Sequence, residues 1–161
     1  MLVVFTLAGL RCAIRHADVR ELLPLPRLWR APTQPAPVAG FLNLAGEAVP
    51  VLDLARLFGL PDGEDDPGAG LYRHLILLRA TPVALLVTRV QDLVSFAPER
   101  LRPVADKATL NGCVEAEFEL AGGFVHLIAV DRLLLEEERQ ALLGLRAAAE
   151  ARLEGWRAQP A

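Results

Sequence analysis

The stretch GFLNLAGEAVPVLDLARLFG, residues 40–59, decides how this chain is read. Phe41 to Leu44 and Glu47 to Leu52 are strand-like runs on either side of Ala45-Gly46, a pair placed to make a tight turn. Asp53 is a good helix N-cap, because its carboxylate accepts from backbone N–H groups that a first helical turn leaves unpaired. Leu54 to Phe58 is then a short helix, closed by Gly59. A hairpin feeding a short helix points to a β-rich fold.

The same style runs outward in both directions. Upstream, VVFTL turns at Ala8-Gly9 into RCAIR, in which Cys12 and Ile14 share a face, so a hairpin is expected. ADVRELL places Val19, Leu22 and Leu23 at helical spacing before Pro24 and Pro26, which predicts a helix of about two turns. The prolines of APTQPAP force an extended path. Downstream, residues 60–71 mix Pro, Gly and acidic residues and read as a surface loop and subdomain boundary. Tyr72 to Leu78, Val83 to Val87 and Val90 to Phe96 are strand candidates. In VEAEFEL, Val114, Ala116, Phe118 and Leu120 point one way and three glutamates the other, the period of a half-buried strand. Ala121-Gly122-Gly123 turns it into FVHLIAV, and Asp131 is expected to cap a closing helix over 131–157. Its apolar stripe of Leu142, Leu145, Ala149, Leu153 and Trp156 is expected to pack on the domain or on a partner, with Trp156 as terminal anchor. Two sets of short strands, each with a helix, predict a β-rich domain of two subdomains.

The 161 residues suffice for one core, and 53% hydrophobic content excludes disorder. Seventeen basic against twenty acidic side chains, with no basic block, argue against a nucleic-acid partner. The first ten residues do not look like a signal peptide and the longest uncharged run falls short of bilayer length, so a cytoplasmic protein is expected. Ser95, the only serine, lacks a nucleophile-elbow pattern. His16, His74 and His126 lie in separate segments without ligand spacing, and Cys12 and Cys113 stand far apart, as small buried apolar residues would. PGAG at 67–70 lacks the residues of a phosphate loop, and DGEDD at 62–66 lacks the calcium-loop pattern. No nucleophile, base and orienting acid come together, so no enzyme, cofactor or metal is expected. A small ligand-binding β-domain is the remote alternative.

The spacing G-x-x-N-x-x-G-x-x-x-P-V-x-D-L, from Gly40 through Asn43, Gly46, Pro50, Val51 and Asp53 to Leu54, resembles the CheW family, the coupling proteins of bacterial chemotaxis arrays. VFTLAGLRCAIRHADVRELL resembles the family's opening hairpin and V-x-E helix, and LILLRATPVALLVTRVQDLVSF and GFVHLIAVDRLL its later strands. The resemblance covers about residues 2–135. It implies one domain over 1–135, mainly β, built of two small five-stranded barrels around a shared hydrophobic core with short helices outside, their boundary loop near 60–71. It also implies a non-enzymatic adaptor that binds the regulatory domain of a CheA-type histidine kinase and the cytoplasmic tip of a methyl-accepting chemoreceptor. Carried over by position, receptor contact falls on Val19, Glu21, Gly40, Ala45 and Gly46, and a functional backbone position on Gly112. Each also has a purely structural reading, as core, solvated charge or turn. The family's usual arginine, which pairs with the glutamate matched by Glu21, is Ala45 here. Its usual strand glycine is Ala84, and its Asp-Gly turn is Thr88-Arg89. A divergent member that binds only kinase or only receptor, in a surface-motility pathway, is the alternative.

Overall fold

A computed structural model describes residues 1–31, 34–60, 73–104 and 112–157. It is built from two copies of one plan. The first copy is a hairpin of β1 (Leu2–Leu7) and β2 (Leu10–Arg15), a single strand β3 (Val19–Pro24), and a hairpin of β4 (Val38–Leu44) and β5 (Glu47–Asp53). The second is a hairpin of β6 (His74–Leu78) and β7 (Ala84–Val87), the strand β8 (Arg89–Val94), the two-residue β9 (Arg102–Pro103), and a hairpin of β10 (Val114–Leu120) and β11 (Gly123–Ile128).

The copies exchange their opening hairpins. One sheet runs β8-β1-β2-β11-β10-β9 and the other β3-β6-β7-β5-β4, and each is held in the middle by a parallel pair, β2 with β11 and β5 with β7. The fold is therefore mainly β, with two intertwined sheets. The chain crosses between them at residues 16–18 and at Thr88, while the elements on both sides of the 60–71 segment belong to the second sheet. The boundary loop expected near 60–71 falls almost wholly on residues 61–72, which lie outside the described residues.

In each sheet the two edge strands are successive in the chain, and the connection between them folds back on the sheet. Trp29 exchanges two backbone hydrogen bonds with Phe41 of β4, at 3.0 and 2.7 Å, and its ring tilts against that of Phe41. In the first sheet the short edge strand β9 itself pairs with β10, and Phe96 of the connection packs on Phe118, ring centroids 4.2 Å apart. Two small apolar clusters, one around Phe118, Val4 and Leu127 and one around Val51, Leu75 and Leu86, fill the sheets' inner faces. The largest cluster joins them, with Phe5, Cys12, Ile14, Leu54, Ile76 and Leu85 all fully buried.

Three expectations are corrected. ADVRELL is not a helix: Val19–Pro24 is β3, antiparallel to β6. A bulge between Val19 and Glu21 inserts one residue, so that the apolar side chains fall at a spacing that also suits a helix. Asp131 caps no helix. It sits in a 3-10 turn over Val130–Arg132, and the closing helix α2 spans Glu136–Arg157, with the Glu138 carboxylate accepting from Leu135 N at 2.8 Å. Trp156 is no anchor in the free chain, being 78% exposed, whereas Leu142 and Ala149 of the same stripe are buried and Leu145 and Leu153 pack against the core. By contrast, Asp53 accepts from Arg56 N at 3.3 Å and caps α1 (Leu54–Leu57), as its position after β5 leads one to expect.

Candidate functional site: the groove between β3 and β8

β3 and β8 are edge strands of different sheets, and a groove of about 490 Å³ lies between them. Val19, Arg20, Glu21 and Leu22 line one wall and Val90, Gln91, Asp92 and Leu93 the other. These walls are the same element twice. β3 pairs with β6 through Val19↔Leu78, Glu21↔Leu77 and Leu22↔Ile76, skipping Arg20; β8 pairs with β1 through Val90↔Phe5, Asp92↔Val4 and Leu93↔Val3, skipping Gln91. Thus Val19-Arg20-Glu21-Leu22-Leu23 and Val90-Gln91-Asp92-Leu93-Val94 are equivalent, down to the position of the bulge.

A bulge adds twist and turns an edge strand away from ordinary strand pairing, so the two walls splay and offer side chains rather than backbone. Leu22 and Leu93 are the outcome: they are 40% and 42% exposed. Val19 forms the floor, buried in the central core. The end of the groove is fixed by Arg79, whose guanidinium donates to Ala17 O at 3.1 Å and Val19 O at 2.9 Å, while its backbone N donates to Asp18 O. Across the junction, Val90 N donates to His74 Nδ1 at 3.1 Å. The groove therefore has a rigid base and exposed apolar lips.

Of the residues singled out from sequence, Val19 and Glu21 line this groove and the other four do not. Gly40 sits on β4, where a Cβ would meet Trp29 O at 2.8 Å and Leu28 Cβ at 2.9 Å; a glycine there lets the Trp29 segment close onto β4. Ala45 and Gly46 form the β4–β5 turn, with Ala45 at φ 50° and Gly46 at φ 90°. The cation that reaches this turn region is Arg146 of α2, 3.8 Å from Glu47. Gly112, at φ 72°, precedes the buried Cys113. Leu22, Asp92 and Leu93 escaped the sequence reading, although the likeness of VRELL to VQDLV was there to find them.

A second groove, about 470 Å³, lies between the two sheets and α2, walled by Leu52, Leu78, Val83, Leu133 and Leu142. Among the described residues Asp53 is the one buried charged side chain, and it is occupied in capping α1 and in an ion pair with Arg73 at 3.3 Å. No group of three His, Cys, Asp or Glu able to hold a metal occurs among the described residues, and no described helix is long and apolar enough to cross a membrane.

Comparison with known proteins adds a family. The model of the CheW-like domain matches residues 1–138. A chemotaxis protein CheW from Rhizobium meliloti (strain 1021) is 25% identical over 145 residues, which is 87% of this chain and 90% of that protein. Among solved structures, the scaffolding protein TtCheW from Thermoanaerobacter tengcongensis superposes with a TM-score of 0.73 at 23% identity, covering 83% of this chain and 86% of that one.

Proposed function

The chain belongs to the CheW-like domain family, and from that premise we propose that it is a chemotaxis coupling adaptor, joining a CheA-type histidine kinase to methyl-accepting chemoreceptors. It works without catalysis and in the cytoplasm. Residues 1–135 act as one binding unit, with the closing helix as its appendage. The observation that carries this reading is the match of the family model over residues 1–138. The groove between β3 and β8 supports it, because exposed Leu22 and Leu93 over a rigid base suit the apolar face of a helix.

In this reading Val19, Glu21, Gly40, Ala45 and Gly46 contact the receptor tip, as the family resemblance implies, and Gly112 is a functional backbone position. The kinase regulatory domain takes a separate surface of the two sheets, with an interface in the ordinary range of about 1,200 to 2,000 Å². Alanine at position 45 favours a second reading, in which the receptor contact is weakened and kinase binding alone remains. A pull-down with the cognate kinase regulatory domain, with and without a receptor cytoplasmic fragment, separates the two. Capture of both supports coupling, capture of the kinase alone supports the second reading, and capture of neither rejects both.

A further inference from the structure

The equivalence of the groove's two walls carries an inference beyond the residues the family resemblance supplies, and it rests on the proposed receptor contact. We infer that Asp92 is a second acidic anchor of the groove, equivalent to Glu21, and that the helical partner seated there carries a basic side chain over β8 beside its apolar stripe. Both acids follow the bulged residue of an edge strand, both precede an exposed leucine, and both line the same groove. They differ in company. Arg20 adjoins Glu21, so the first wall balances its own charge, whereas Gln91 adjoins Asp92 and leaves the second wall negative. Asp92 Oδ1 accepts from Leu93 N at 2.8 Å, which orients the carboxylate without neutralising it. Of the other basic residues here, Arg79 spends its guanidinium on the carbonyls of Ala17 and Val19, His16 lines the groove beside β3, and Arg89, exposed on β8, lies outside the groove's lining. A partner with basic groups toward β8 thus meets complementary charge there, and one of reversed polarity meets repulsion.

The test is the affinity of a receptor cytoplasmic fragment for the full chain and for Asp92→Lys, Asp92→Asn and Glu21→Lys. Asp92 is exposed on an edge strand, so these variants are expected to keep the parent's thermal midpoint and its affinity for the kinase regulatory domain. Asp92→Lys is expected to weaken receptor binding by about tenfold or more. Asp92→Asn is expected to weaken it less and to flatten its dependence on salt. Unchanged binding in Asp92→Lys, with the parent binding normally, overturns the inference and leaves the coupling reading standing. No receptor binding by the parent itself rejects the receptor contact, and this inference with it.

Discussion

The hairpins β4–β5 and β10–β11 occupy equivalent places in the two copies, yet their outer faces have opposite character. Phe41, Ala48 and Pro50 on the first are buried. Their register partners on the second are Glu117, Phe124 and His126: Phe124 is 57% exposed, and Glu117 pairs with His126 at 3.1 Å. The difference is α2, which packs on β5 and places Leu142 and Ala149 in the same cluster as Phe41 and Ala48. The first face is apolar and a helix covers it; the second is polar, and no described helix covers it. The two copies of the plan thus differ in direction, one hairpin being closed by α2 and the other presenting polar side chains outward.

The comparison can be broken most forcefully at Leu142. Leu142→Ala is expected to cost about 2 to 5 kcal/mol in chemical denaturation, whereas Phe124→Ser on the uncovered face is expected to stay within about 0.5 kcal/mol. Equal effects would mean that α2 is not a fixed cover. Next is Asp53, whose equivalent in the second copy is Ala129; where the acid is present α1 forms, and where it is absent the chain makes a 3-10 turn. Asp53→Ala is expected to lose about 2 kcal/mol, through the lost cap and the stranded Arg73, measured the same way.

Three hairpins turn through Ala-Gly pairs with both residues at positive φ: Ala8 at 47°, Ala45 at 50° and Ala121 at 49°. A Cβ in that region is unfavourable, and asparagine tolerates it better. Ala121→Asn is expected to stabilise by about 1 kcal/mol, and the effects at the three distant turns should add. The smallest effect is at Cys12, whose equivalent position is Val83. Burial pushes its thiol from 9.0 up to about 12. The folded chain keeps that proton while the unfolded chain releases it, so no stability is lost below about pH 9 and stability declines as pH rises from there toward 12. Cys12→Val is expected to flatten this alkaline decline and to change stability at pH 7 by less than about 1 kcal/mol.

Much of this was legible in the sequence. The turn pairs Ala8-Gly9, Ala45-Gly46 and Ala121-Gly122, the cap at Asp53 and the alternation in VEAEFEL all follow from local chemistry, and the structure has them. VRELL was not legible by periodicity, because a strand with one bulged residue and a short helix put apolar side chains at the same spacings; its twin VQDLV, read beside it, resolves the ambiguity. Asp131 misled because a capping acid needs a following turn that is helical, and here the chain first packs Leu133 into the core. Trp156 continues the stripe, but a helix of 22 residues is about 33 Å long and outruns β5, the seven-residue strand it packs on, which spans about 24 Å. The groove joins strands 71 residues apart in the chain, a proximity set by the hairpin exchange and not by any local pattern.

The proposed function requires one chain to hold two signalling partners at once. Calorimetric titration of the kinase regulatory domain into the chain, alone and then saturated with receptor cytoplasmic fragment, tests it most directly. Binding of similar affinity in both titrations, giving a ternary complex, is the expected result. Absence of heat in both, or loss of kinase binding once the receptor fragment is present, would contradict it.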